Sequence, residues 1–204
     1  MEALHKLLTN ELQDLYDAEH QILKALPKMI DECSSPELRR ALQQHLTVTE
    51  KQVSRLDQVF RDVGGERART RCKGMAGIIA EGEDLLKEDL EESTKDAGII
   101  GAAQKVEHYE IATYGTARTL AEFLGNSRAA QLLKQTLEEE KEADKILTQL
   151  AEASVNVGAA EEEKEGEVER GADNGGRSRS RSRTQTTSKS RNRPRRRTRP
   201  RATR

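Results

Sequence analysis

The sequence predicts an all-α fold, an antiparallel helical bundle over residues 1–157, and three observations carry that reading. Leucine and isoleucine recur at three- and four-residue spacings through long stretches, the period of a single buried helical stripe. Aromatic bulk is scarce, with two Phe, three Tyr and no Trp in 204 residues. The core must therefore be aliphatic, which suits helices packed on helices. Beyond residue 158 the periodicity stops, and acids and then arginines take over.

Charge divides the chain in the same way. Residues 177–204 hold twelve Arg, one Lys and no acid, a charge of +13. Residues 159–176 hold seven acids against Lys164 and Arg170, a charge of −5. The whole-chain charge of −1 thus leaves −9 on residues 1–158. An acidic body with a strongly basic end is the pattern of a polyanion-seeking tail on a folded domain. No apolar run is long enough to span a membrane, and the amphipathic N-terminus lacks the apolar core of a secretory signal. Cys33 and Cys72 are expected as reduced thiols, and the location as cytoplasmic.

The first helix is predicted over residues 2–32, with Leu4, Leu8, Leu12, Leu15, Ile22, Leu26 and Met29 inward and a bend expected at Pro27. Ser35 before Pro36 is a helix start, and Ser34 with Glu37 has capping-box spacing. A second helix follows to Val63, burying Leu38, Leu42, Leu46, Val53, Leu56 and Phe60, and Gly64-Gly65 ends it. After a basic connector, a short helix is predicted over 73–90, in which Gly74, Gly77 and Gly82 weaken it or admit a close neighbour. Asp96 is read as the cap of a fourth helix over 97–124. Asn126 or Ser127 is read as the cap of a fifth, running to Asn156. The short turns fold each long pair back on itself, and a crossover carries the small helix. The result is a ferritin-like antiparallel four-helix bundle with one extra short helix. Residues 158–176 read as an acidic, Gly-containing disordered linker and 177–204 as an Arg-rich disordered tail.

The anomaly lies inside the stripes, where carboxylates stand in leucine positions. Glu19 falls between Leu15 and Ile22, Glu107 between Ala103 and Ile111 with Glu110 beside it, and Glu140 and Asp144 between Leu137 and Leu147. Buried carboxylates are costly unless paired, hydrogen-bonded or metal-bound. Acids sent inward from three helices suit a dinuclear iron or manganese centre, although a buried hydrogen-bond network satisfies the same spacing. His45 lies on the second helix's stripe as a ligand, a donor to one, or a satisfied core residue. His5 reads as surface, and His20 and His108 are rotated about 100° away from their neighbouring Glu. Tyr16, Tyr109 and Tyr114 read as aromatic packing. No nucleophilic triad, phosphate-binding Gly loop or zinc motif is present.

The segments DAEHQILKALPKM (17–29), CKGMAGIIAEGEDL (72–85), AAQKVEHYEIATYGTARTLAEFLG (102–125) and TLEEEKEADKILTQLA (136–151) resemble the bacterial YciF-like proteins. The resemblance covers residues 1–155 and implies a ferritin-like, homodimeric, stress-associated protein with a dinuclear metal site. It would make Glu19, Glu107, Glu110, Glu140 and Asp144 metal-associated. The chain departs from the family at His45-Leu46-Thr47-Val48-Thr49, where Val48 replaces an expected acid, and at Ala76, where relatives often carry Glu. Matching the two hairpins at Ser35 and Ser127 sets Val48 opposite Glu140 and Gln52 opposite Asp144. Glu50 is about 200° around the helix from Val48 and a poor substitute.

Two functions follow as expectations. One is a metalloprotein handling iron or peroxide during stress. The other is a non-enzymatic dimeric bundle with a degenerate metal site. In both, Arg177, Arg179, Arg181, Arg183, Arg191, Arg193, Arg195, Arg196, Arg197, Arg199, Arg201 and Arg204 are expected to bind DNA, RNA or another polyanion. The rival readings are a solubility or membrane-surface tail, or self-association with the acidic body and residues 161–169. Without aromatic residues, the tail has nothing to stack on bases.

Overall fold

The structure, a computed structural model, describes residues 1–65, 67 and 70–161. Five helices follow one another: α1 (Glu2–Glu32), α2 (Pro36–Val63), α3 (Lys73–Leu85), α4 (Glu92–Phe123) and α5 (Ser127–Leu150). No strand occurs among the described residues. A π-helical segment, Ala151–Val155, continues α5, and helical conformation persists to residue 161, into the segment read as a linker. The remainder of that segment and the Arg-rich tail lie outside the described residues.

Helices α1, α2, α5 and α4 pack as the four sides of a square, α1 on α2, α2 on α5, α5 on α4 and α4 on α1. Helix α3 lies against α1 and α4. Two apolar clusters fill the bundle. One gathers Ile22, Leu26, Leu38, Leu42, Met75, Ile99, Ile100 and Leu147, and the other Leu8, Leu12, Leu15, Leu56, Val59, Phe60, Leu133 and Leu137. Between them, all four long helices present polar side chains: Glu19, His45, Thr49, Gln52, Glu107, Glu110 and Glu140 are all buried. The core is therefore two apolar halves separated by a polar layer.

α1 spans Glu2–Glu32 with Pro27 inside it, as predicted, whereas other local readings change. Ser35 alone caps α2, its Oγ accepting from Leu38 N at 3.3 Å, so the Ser34–Glu37 box does not form. Gly64, at φ 70°, closes α2 in the left-handed conformation that favours glycine. α3 stops at Leu85 rather than at 90, where Leu85 packs over Gly98 of α4. A Cβ at Gly98 would stand 2.8 Å from a Leu85 methyl. Gly74 likewise admits the ring of Tyr109, which a Cβ would meet at 2.7 Å, whereas Gly77 faces open space.

The largest change concerns Asp96. α4 begins at Glu92, so Asp96 lies inside the helix and caps nothing on it. Its carboxylate is buried and accepts from the backbone N–H groups of Ser34 at 3.0 Å and Ser35 at 2.6 Å. It thus fastens the α1–α2 turn to α4 by satisfying two amides that neither helix can satisfy itself. Cys33 and Cys72 are both buried and unpaired. Among the described residues no helix is long and apolar enough to cross a membrane.

Replacing Asp96 with Ala strands both amides in a buried position. The expected cost is about 2–3 kcal/mol, read as a fall in melting temperature of roughly 5–10 °C. An unchanged melting curve would show that the turn needs no such fastening.

Candidate metal centre

Each long helix delivers its polar residue to the middle layer because that residue occupies a stripe position between two apolar turns. On α1, Glu19 is fully buried, and Tyr114 of α4 donates its hydroxyl hydrogen to Glu19 Oε1. On α2, the inward stripe runs Leu42, His45, Thr49, Gln52, Leu56. Thr49 donates to the carbonyl of His45 at 3.0 Å, so its hydroxyl is occupied within the helix. On α4, Glu107 and Glu110 are one turn apart and both buried. On α5, Glu140 accepts from Gln52 Nε2.

His45, Glu107, Glu110 and Glu140 converge: one nitrogen or oxygen from each lies within 4.8 Å of all the others. His45 Nε2 is 3.3 Å from Glu107 Oε1. That approach is too poorly aligned to be a hydrogen bond, since Nε2 has no hydrogen-bond partner among the described residues. The same is true of Glu19 Oε2, Glu107 Oε2, Glu110 Oε1 and Glu140 Oε2. Buried polar atoms are nearly always partnered. Five donor atoms from four helices lacking partners in one layer fit a divalent transition metal, which takes imidazole nitrogen and carboxylate oxygen together.

The family described as "Domain of unknown function (DUF892)" matches residues 3–160. Protein YciF of Escherichia coli K12 is 43% identical over 157 residues, covering 76% of this chain and 95% of that protein. The chain belongs to this family. The crystal structure of the E. coli stress protein YciF superposes with a TM-score of 0.74 over 76% of this chain and 99% of that one. YcfI of Rhodopseudomonas palustris, 42% identical, gives 0.69 over 71% and 92%. A protein of Xanthomonas campestris at 23% identity shares the fold, with a TM-score of 0.62 over 79% and 99%.

The YciF resemblance named five acids, and the structure gathers them unevenly. Glu107, Glu110 and Glu140 sit in the cluster with His45, and Glu19 adjoins it from α1. Asp144 stands apart, partly exposed, accepting from Gln104 at 2.9 Å and lying 3.3 Å from exposed His108. His20 turns its Nδ1 to the Tyr16 carbonyl, 2.7 Å away, and His5 is exposed. The hairpin alignment is off by four residues, about one turn. Gln52 faces Glu140 rather than Asp144, and Val48 is only half-buried beside the inward stripe. Sequence reasoning missed Arg55, whose guanidinium grips Glu139 with bonds of 2.7 and 2.9 Å and donates to Thr136 at 2.6 Å. Its place in the stripe, three residues after Gln52, was the available signal. Tyr114, read as packing, also holds Glu19.

Burial pushes the carboxyls of Glu19, Glu107 and Glu110 well above the usual range, and neighbouring carboxylates add to the rise. Burial also raises Glu140, to about 7, opposed by its bonds with Glu107 and Gln52 and by the charge of Arg55. His45 moves the other way, to about 4, because burial disfavours the imidazolium. A neutral His45 keeps a lone pair for a metal.

In metal-free protein these carboxyls retain protons that an unfolded chain releases near 4.5. Their contribution to stability is complete below that value and is lost as pH rises through the folded values. His45 gives the opposite slope, between about 4 and 6.5. Above 6.5 the carboxyls act without it. Chelator-treated protein should therefore melt at progressively lower temperature as pH rises from 6.5 through about 7 and above, and Glu110→Gln should flatten that decline. A melting temperature that rises across this window would contradict the assignment.

Proposed function

We propose that this protein is a stress-associated, ferritin-like metal-binding bundle whose middle layer holds iron or manganese through His45, Glu107, Glu110 and Glu140. The observation that supports it is the convergence of buried, unpartnered donor atoms from three helices, with Glu19 beside them from the fourth. A redox-active ion bound there would supply electron transfer to dioxygen or peroxide. The chain's own residues prepare the layer. Tyr114 orients Glu19, Gln52 orients Glu140, and Arg55 with Glu139 closes one side.

Occupancy by one ion fits these residues better than two. Dinuclear four-helix sites draw on four carboxylates and two histidines. Here the layer has a single histidine, and only three of its four carboxyl groups converge with it. α2 offers Thr49 and Gln52 in place of an acid, and Asp144 is engaged by Gln104. A second reading, a protonated hydrogen-bond network without metal, is favoured by the bonds from Tyr114 to Glu19 and from Gln52 to Glu140. The resemblance also brings a cytoplasmic homodimer into the proposal, and the molar mass in solution tests the dimer.

Protein reconstituted with Fe(II) or Mn(II) should hold about one ion per chain. At a hundredfold excess over the dissociation constant it should gain about 2.7 kcal/mol of stability. Glu107→Gln with Glu140→Gln should abolish both effects while leaving the helical content intact. Less than about 0.2 ion per chain, with no thermal shift on adding either metal, would leave the hydrogen-bond network as the reading.

We further propose that residues 177–204 bind polyanions. Affinity for duplex DNA should fall by roughly 0.9 decade per phosphate contact for each decade of salt. Deleting residues 159–204 should abolish the binding, and binding that survives the deletion would place it on the bundle.

A further inference from the structure

The polar layer is not sealed equally on all sides. Between α2 and α5 a groove of about 240 Å³ runs inward from exposed Glu142 to buried His45 and Glu107. Val48 of α2 and the small Ala143 of α5 both line it. His45 Nε2 and Glu107 Oε2, both without hydrogen-bond partners, belong to residues at its floor. The lining includes the carboxyl groups of Glu107, Glu139 and Glu142, of which Glu139 is held by Arg55 and Glu142 lies 3.4 Å from Lys145.

The opposite side differs in kind. Under α3 a void of about 30 Å³ also reaches His45 and Glu107, but its walls are mostly apolar, Ile22, Met29, Ile79 and Val106 among them. Glu83, which also lines it, is held by Lys28 at 2.7 Å. A void of that size has room for about one water, so a hydrated cation entering there would shed most of its water among apolar side chains and pass Lys28, a large cost. Along the α2–α5 groove, eight times larger, polar groups stand at both the exposed end, Glu142, and the buried end, His45 and Glu107, and water fits between them.

We propose that the α2–α5 groove is the entrance by which divalent cations reach the buried cluster, with Val48 and Ala143 setting its width. The proposal rests on the metal reading above and adds how the site is filled. It also gives Val48 a place. Half-buried at the rim of the groove, this residue shapes passage rather than completing the ligand set.

Loading rates test the entrance separately from the site. Co(II), followed by its visible absorbance, serves as the probe ion, added to apo protein in a stopped-flow mixer and later withdrawn with excess chelator. Ala143→Phe fills the groove from α5 and Val48→Phe fills it from α2, so the two report independently if one folds poorly. Each should slow both uptake and withdrawal about tenfold or more, with the equilibrium stoichiometry of wild type retained, because a narrowed passage alters both directions alike. Wild-type rates in both variants, at wild-type stoichiometry, would overturn the entrance and leave the metal site standing. If wild-type protein takes up no Co(II) at equilibrium, the metal reading and the entrance fall together.

Discussion

Four carboxyl groups and an imidazole share one buried layer of a four-helix bundle, and the rest of the structure accommodates that fact. Each carboxyl alone would be a severe penalty in an aliphatic core. Protonation removes most of the charge, and Tyr114 and Gln52 each give one oxygen a donor. The remaining oxygens face one another and His45. Two apolar clusters flank the layer and supply the hydrophobic burial on which the bundle chiefly rests. A layer that weakens the apo fold and is held in place by its neighbours is characteristic of a site kept for binding.

The bundle itself was legible because helical stripes of leucine need no long-range information. Glu19, Glu107 and Glu140 stood out for the same reason, each interrupting a stripe at the spacing a leucine would have taken. Positions whose meaning depends on a partner helix were not legible. Asp96 looked like a cap because acids precede helices; only the placement of α4 against the α1–α2 turn reveals that it serves two amides elsewhere. Gln52 was matched to Asp144 because turns are poor rulers for helices of unequal length. Tyr114 read as ordinary core packing, and Arg55 drew no reading, until the facing acids were in place.

Family membership narrows the chemistry without settling it. Identity of 43% to YciF over nearly all of that protein makes the bundle a shared inheritance. The middle layer is where this chain's own residues decide the outcome. Its α2 stripe carries one histidine and no acid, which sets the donor count and the most plausible occupancy. The arginines of residues 177–204 extend past the matched region, so any attraction to polyanions is an addition to the inherited bundle.

The central claim is that the buried layer is a metal site, and anomalous X-ray diffraction addresses it most directly. Crystals grown with Fe(II) or Mn(II) and measured on either side of the metal absorption edge should show a single strong peak per chain. It should lie at about 2.0–2.3 Å from His45 Nε2 and from oxygens of Glu107, Glu110 and Glu140. An absent peak, or one bound only at surface carboxylates such as Glu138 or Glu142, would contradict the account.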